Sequence, residues 1–287
     1  MKKWSGKKVL RKESVQKELK PYHREFSVAR AFLKGLAKSL LLVGSDKHQT
    51  PSAVDFGLQN TICLGASKWS DFDSIEFVDC SPVVFQKLRH ADGISSREYV
   101  SEMGVGNFQA LFSSRRETLK HEQSTGQSGA FFFVSPNGKY FVKKIRQKEA
   151  QLLKKMLRPY FLHLQENSSS LLSRFYGLHQ LRFFEKGKAR QTLHFVVMNN
   201  LFFDGVGPIS PQKIFDLKGS SFKRKTTPDL LRKGAAGKDL DFEDFLLLNS
   251  HKFTSQVPKL RKVLQILKSD SEFLARQNVM DYRWGYR

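Results

Sequence analysis

Cysteine is nearly absent: Cys63 and Cys80 are the two thiols in 287 residues. That scarcity gives no basis for a disulfide framework, makes a reducing cytosol the expected compartment, and leaves both thiols expected as buried side chains. Long apolar runs are missing as well. The best stretch, Phe32 to Val43, is short and carries Lys34 and Lys38, so no bilayer-spanning segment is expected. The basic start of the chain is not followed by an apolar signal-peptide core. Acidic residues are few, with 27 Asp and Glu against 49 Lys and Arg, and the formal net charge is +22. Such an excess points to polyanions: nucleic acid, an anionic membrane surface or phosphorylated ligands. No zinc-ligand spacing, RNA-recognition aromatic motif or basic zipper accompanies it, so no nucleic-acid partner is expected.

What is present is a hydrophobic fraction of 40% with 25 Phe, enough for a substantial core. Residues 1–30 read as a basic tail, either solvated or attracted to anionic lipid. The pattern predicts a helix near 28–42, a helix from Val83 to His90 opened by Ser81-Pro82, and a helix through Met103 opened by the capping box Ser95-x-x-Glu98. Ala130 to Val134, the turn Pro136-Asn137-Gly138 and Tyr140 to Val142 read as a hairpin. Leu152, Leu153, Met156, Leu157, Tyr160, Phe161 and Leu164 recur at helical spacing and are expected in the core. After the first helix, the residues up to 75 read as loops. Strands are expected at Phe175 to Phe183, Leu193 to Met198 and Phe215 to Lys218, with the turn Glu185-Lys186-Gly187-Lys188 between the first two and a loop over 221–240. Two helices are expected at the end, Pro258 to Lys268 and another capped by Ser269-x-x-Glu272. The order predicts an α+β protein built on a mainly antiparallel sheet.

Gly126-Gln127-Ser128-Gly129 leads into the first hairpin strand, and Lys143 stands fourteen positions past Gly129 on the return strand. A glycine-containing loop and a strand lysine on one hairpin can hold ATP phosphates, although an ordinary turn and a solvated lysine give the same pattern. Val196 to Met198 is an apolar strand running into Asn199-Asn200-Leu201, a junction able to offer backbone groups to an adenine edge. Asp216-Leu217-Lys218-Gly219-Ser220, followed by Lys223, Arg224 and Lys225, sets an acid beside clustered cations, which suits phosphate chemistry and equally a surface turn. His163, His179 and His194 share no metal-ligand spacing.

Taken together these segments resemble the catalytic core of phosphatidylinositol phosphate kinases. The likeness starts at Glu76-Phe77-Val78-Asp79-Cys80-Ser81-Pro82 and passes through Gly126-x-Ser128-Gly129, Phe141-Val142-Lys143 and Arg174-Phe175-Tyr176-Gly177. It continues through Met198-Asn199-Asn200 and Asp216 to Ser220, and closes on Asp270-x-x-Phe273-Leu274 and Met280-Asp281-Tyr282. The resemblance implies a catalytic domain over 31–287, with its core match over 76–282, in a lipid-kinase (SAICAR synthase-like, protein-kinase-related) fold. Most of a second lobe would be included.

It also implies ATP and Mg2+ as cofactors and a phosphatidylinositol monophosphate as substrate, most simply phosphatidylinositol 4-phosphate converted by a 5-kinase. The expected setting is the cytosolic face of the plasma membrane, with a homodimer left open. In this scheme Gly126, Ser128 and Gly129 cover the phosphates, Lys143 holds them, and Met198, Asn199, Asn200 and Leu201 border the adenine. Lys218 sits near the transferred phosphate with support from Asp216, Arg224 meets substrate phosphate, and Asp281 is the catalytic aspartate. The family's metal-binding aspartate and lipid-selecting loop would follow Tyr282, where this sequence reads Arg283-Trp284-Gly285-Tyr286-Arg287. The expectation is therefore a C-terminally truncated catalytic domain with no metal ligand of its own. Both a kinase and a catalytically dead phosphoinositide- or membrane-binding module remain open.

Overall fold

The computed structural model describes residues 24–43, 50–65, 72–105, 120–123, 131–207, 209, 211, 213–249 and 257–279. Its centre is a seven-stranded sheet made of β1 (Gln59–Gly65), β2 (Ser74–Cys80), β3 (Lys120–Gln123), β4 (Phe131–Val134), β5 (Tyr140–Ile145), β6 (Phe175–Glu185) and β7 (Lys188–Asn199). The strand order is β1-β2-β6-β7-β5-β4-β3, and every neighbouring pair is antiparallel. The two hairpins anticipated from the sequence are both present. Lys186 and Gly187 take positive φ between β6 and β7, the twist that suits a tight two-residue turn. In the turn before β5, the Asn137 side-chain oxygen accepts from the Lys139 N–H at 3.0 Å, and Gly138 takes φ of 81°.

Among the described residues seven helices pack around the sheet or beyond it: α1 (Arg24–Leu42), α2 (Pro82–Ala91), α3 (Ser96–Val100), α4 (Gln147–Glu166), α5 (Pro228–Arg232), α6 (Asp239–Leu248) and α7 (Val257–Arg276). Helix α1, α3 and the π turn Ser101–Val105 cover one sheet face. Phe32, Leu36, Tyr99 and Met103 meet Phe77, Tyr140, Val142, Phe195 and Val197 there. Helices α2, α4 and α7 cover the other face, where Phe85, Leu157, Tyr160 and Phe273 enclose Val78, Leu178 and Val196. The sheet is therefore apolar on both sides, the condition for two cores in one domain. Ser95 Oγ accepts the Glu98 N–H at 3.1 Å, so the cap read from the sequence starts α3.

Several expectations change. Helix α1 begins at Arg24, ahead of the expected 28, so the boundary drawn at residue 30 for a basic tail falls inside a helix whose Val28 and Ala29 are buried; residues 1–23 lie outside the described residues. Phe215 to Lys218 is not a strand. Phe215 makes one isolated bridge to Gly237. The expected loop over 221–240 contains α5 and the start of α6. The last two helices are one, α7, because Ser269 is not a helix start; its hydroxyl reaches Asn167 Oδ1 at 3.4 Å across to α4. Leu152 faces solvent at 38% exposure, one residue off the buried stripe of α4. Cys63 is exposed on the edge strand β1, where Ile62 and Leu64 alternate inward, whereas Cys80 is buried and burial pushes its thiol pKa up.

Helix α7 is fastened to α4 by a buried polar contact. Asp270, wholly buried, lies 2.6 Å from His163 Nε2 and accepts the Leu171 N–H at 2.8 Å, while His163 stacks on Phe273. Asp270→Ala removes the partner of the buried His163 Nε2 and of the half-buried Leu171 N–H and is expected to cost about 3 kcal/mol in urea unfolding. A loss under half of that would show the contact to be incidental. Gly35 marks the closest approach of α1 to the sheet: a Cβ there would sit 2.1 Å from the Phe77 ring. Gly35→Ala should therefore lower stability by about 1–3 kcal/mol despite Ala's better helix propensity. A melting temperature at or above wild type would refute that packing.

Candidate functional site

Alternation along β5 sorts its side chains between the two cores. Tyr140 and Val142 belong to the α1 side, and Ile145 packs on the α4 side. Lys143, between them in phase, shares the α4 face with its register partner Val196 on β7. It is half-buried there, close to the first turn of α4. Burial works against ionisation of Glu149. The Arg146 backbone N–H at 2.7 Å, the Arg146 side chain and the Lys143 charge outweigh it, and the Glu149 pKa is held below the usual carboxylate range. Lys143 thus sits beside an ionised carboxylate at the head of a helix.

Met198 shares this face, opposite Phe141 on β5 and Phe175 on β6. Asn199 and Asn200 use their side chains on the backbone. Asn199 Oδ1 accepts the Arg174 N–H at 2.9 Å. Asn200 is buried; its amide donates to the Gly138 carbonyl at 2.7 Å, and its oxygen accepts the Phe202 N–H at 2.9 Å. The Asn200 N–H also donates to the Lys139 carbonyl at 2.8 Å. Asn199 therefore shapes the strand end, and Asn200 pins it to the hairpin turn. A cleft of about 360 Å3 bordered by Asp92, Glu98, Tyr140, Tyr176, Asn200 and Phe203 opens at these strand ends. Tyr140 and Tyr176 belong to the α1-side core, so the cleft lies away from the face that carries Lys143.

Asp216, Lys218 and Arg224 form a second group on the segment preceding α6. The Asp216 N–H donates to the Gly237 carbonyl at 2.8 Å, and Gly219 takes φ of 66° to turn the chain. Lys218 and Asp216 are exposed. The Arg224 guanidinium bonds Asp239 Oδ2 at 2.6 Å and lies 3.4 Å from Asp216 Oδ2, so it is engaged within the chain. Asp239 accepts successive backbone N–H groups from the same turn. Hydrogen bonding from Arg224 above all, and from the Lys218 and Gly219 amides, holds its pKa far below the usual carboxylate range. Asp241, the second acid of the first turn of α6, accepts from Thr226 and Lys238, both at 2.9 Å.

Neither acid was singled out from the sequence. The signal was there: two carboxylates opening an apolar stretch are an N-terminal helix signature. Gly126, Ser128, Gly129 and Asp281 lie outside the described residues. Among the described residues no group of three or more His, Cys, Asp or Glu is arranged to hold a metal ion, and none of them supplies a Mg2+ ligand set.

A family model described as "Phosphatidylinositol-4-phosphate 5-Kinase" matches residues 113–283, spanning both groups. The chain belongs to this family. It is 31% identical over 211 residues to a phosphatidylinositol 4-phosphate 5-kinase of Plasmodium falciparum, covering 72% of this chain and 12% of that protein. Over 273 residues it is 28% identical to phosphatidylinositol 4-phosphate 5-kinase 9 of Arabidopsis thaliana, covering 91% of this chain and 30% of the relative. With the type-1 alpha enzyme of Rattus norvegicus it shares 30% identity over 203 residues, 69% of this chain and 34% of the relative. The chain thus spans 12% to 34% of the length of these curated relatives.

Substitution of Lys143 tests the expectation, drawn from the sequence resemblance, that this residue holds ATP phosphates. In Lys143→Ala, affinity for a fluorescent ATP analogue should fall at least tenfold, roughly the contribution of one charge-assisted hydrogen bond. The melting temperature should be unchanged, because a half-buried lysine contributes little to the core. Equal binding by the variant would show the nucleotide face to be elsewhere.

Proposed function

We propose that this protein transfers the γ-phosphoryl group of ATP to a hydroxyl of a phosphatidylinositol monophosphate, most specifically the 5-hydroxyl of phosphatidylinositol 4-phosphate. The product is the bisphosphate, formed at the cytosolic face of the plasma membrane. The carrying observation is that the family match runs through both residue groups, the β5 lysine and the Lys218 turn. The relatives' printed names supply the substrate and position.

In this reading the lipid hydroxyl oxygen bonds to the γ-phosphorus as the bond from that phosphorus to the β,γ-bridging oxygen breaks. ADP leaves, and the hydroxyl proton passes to a carboxylate, for which Asp281 is the candidate. Lys143 neutralises ATP phosphates, and the exposed Lys218 stabilises charge on the group in flight. Mg2+ would supply counter-charge on the nucleotide phosphates; the described residues do not assemble a ligand set for it. The +22 net charge supports attraction to an anionic lipid surface.

The test is conversion of phosphatidylinositol 4-phosphate in anionic vesicles by the 287-residue chain with ATP and Mg2+. Lys218→Ala should reduce turnover by about 100-fold or more, the usual loss on removing a transition-state charge partner. Vesicle binding without any turnover by the unsubstituted chain would overturn the enzyme reading in favour of a catalytically dead membrane module.

A further inference from the structure

The turn that presents Lys218 is held from outside itself. Asp239 Oδ1 accepts the backbone N–H groups of Lys218 at 2.9 Å, Gly219 at 2.8 Å and Ser220 at 3.4 Å. Its other oxygen takes the Arg224 Nε–H at 2.6 Å. Arg224 in turn donates to the Asp216 carbonyl and lies beside the Asp216 carboxylate. Consecutive amides converging on one oxygen form an anion cradle of the kind that elsewhere receives phosphate. Here a carboxylate of the same chain fills the cradle, and it stays ionised because the donors surrounding it stabilise its charge.

Two consequences follow from this occupancy. The 218–220 amides are already spent and do not hold a substrate phosphate at the same time. The backbone between Asp216 and Arg224 is also tied to the first turn of α6, which is anchored by Asp241 through Thr226 and Lys238. Phe215 packs its ring against Phe242 and Phe245 of the same helix, so the turn and α6 share a small aromatic contact as well as the ion pair.

We propose that Asp239 is the positioning residue for Lys218: it fixes the lysine-bearing turn before any ligand arrives, with Arg224 acting in the same frame and not as a substrate contact. The claim rests on the reading that Lys218 meets the transferred phosphate. Asp239 touches no reacting atom and acts through the backbone it holds. An oriented lysine is worth more to a transition state than a wandering one, because its reorganisation is completed in advance.

The experiment uses the full chain and two readouts. In Asp239→Ala, hydrogen exchange at the 218–220 amides should accelerate at least about tenfold while β5 and α4 keep their protection, which separates a local release from misfolding. On phosphatidylinositol 4-phosphate vesicles, kcat should drop on the order of 100-fold with the KM for ATP within about twofold. Asp239→Ala combined with Lys218→Ala should be no slower than Lys218→Ala alone, since both remove one function. Asp239→Asn, which keeps an acceptor oxygen for the amides but loses the charge facing Arg224, should recover part of the loss. Multiplying losses in the double variant would overturn the proposal. So would unchanged exchange at 218–220, or tighter inorganic phosphate binding by Asp239→Ala, which would make the carboxylate a placeholder for ligand. If the unsubstituted chain converts no lipid, the kinase reading fails, and the exchange measurement still decides whether Asp239 fixes the turn.

Discussion

The period-two alternation of β5 and β7, fixed by their antiparallel register, is the constraint on which the rest of this structure depends. A strand with one core and one wet face has a single correct phase. A strand between two cores has two demanding faces, and a slip by one residue would exchange them. Val142 and Val197 are committed to the α1 side, and Val196 and Ile145 to the α4 side. Lys143 is the polar interruption that this phase leaves on the α4 face, and its neighbour Glu149 opens the helix that covers that face. The same apolar residues that close the two cores thereby aim the one lysine whose charge the nucleotide reading requires.

The second group of residues is organised differently. It has no sheet to hold it, and the segment from Ile214 to Asn249 is built around a helix start. Asp239 and Asp241 stand where a helix exposes unpaired N–H groups, but each also collects donors from the preceding loop. A basic protein with few carboxylates has concentrated several of them here: Asp239 on Arg224, and Asp241 and Asp244 around Lys225. The net charge of +22 is therefore not spread evenly over function. Some of its cations are committed to internal geometry, and Lys218 stands exposed among them.

Strands β4 to β7 were legible in the sequence because their signals are local, whereas β1, β2 and β3, which lie in stretches read as loop or given no element, were not. Pro136-Asn137-Gly138 and Lys186-Gly187 are turns that backbone conformation demands, and the aromatic and β-branched strands between them leave little choice. Helix α4 was legible from its stripe, with Leu152 misassigned because a residue one step off a buried stripe has the same composition as those in it. What escaped depended on distant partners. Ser269 and Glu272 imitate a helix cap, but the chain continues as α7 because Asp270 is drawn into the core by His163 and the Leu171 N–H, more than a hundred and nearly a hundred residues away. The carboxylate that engages Arg224 was not foreseen because it lies fifteen positions on, inside a stretch taken for loop. Asn199 and Asn200 were marked correctly as a junction, while the backbone atoms their side chains serve were invisible without the fold.

The placement of the two thiols has a practical side. Cys63 looks outward from the edge strand β1, and Cys80 lies buried in the second core, beside Gln180 of β6 and Lys154 of α4. A thiol reagent added to the native protein meets one reactive sulfur, because accessibility and the depth-raised pKa both protect the other. The stoichiometry of labelling is accordingly a gauge of conformation: one equivalent while the second core stays closed around Cys80, two once it opens. With just two cysteines in the sequence, the chain carries its own reporter of whether the second core is intact.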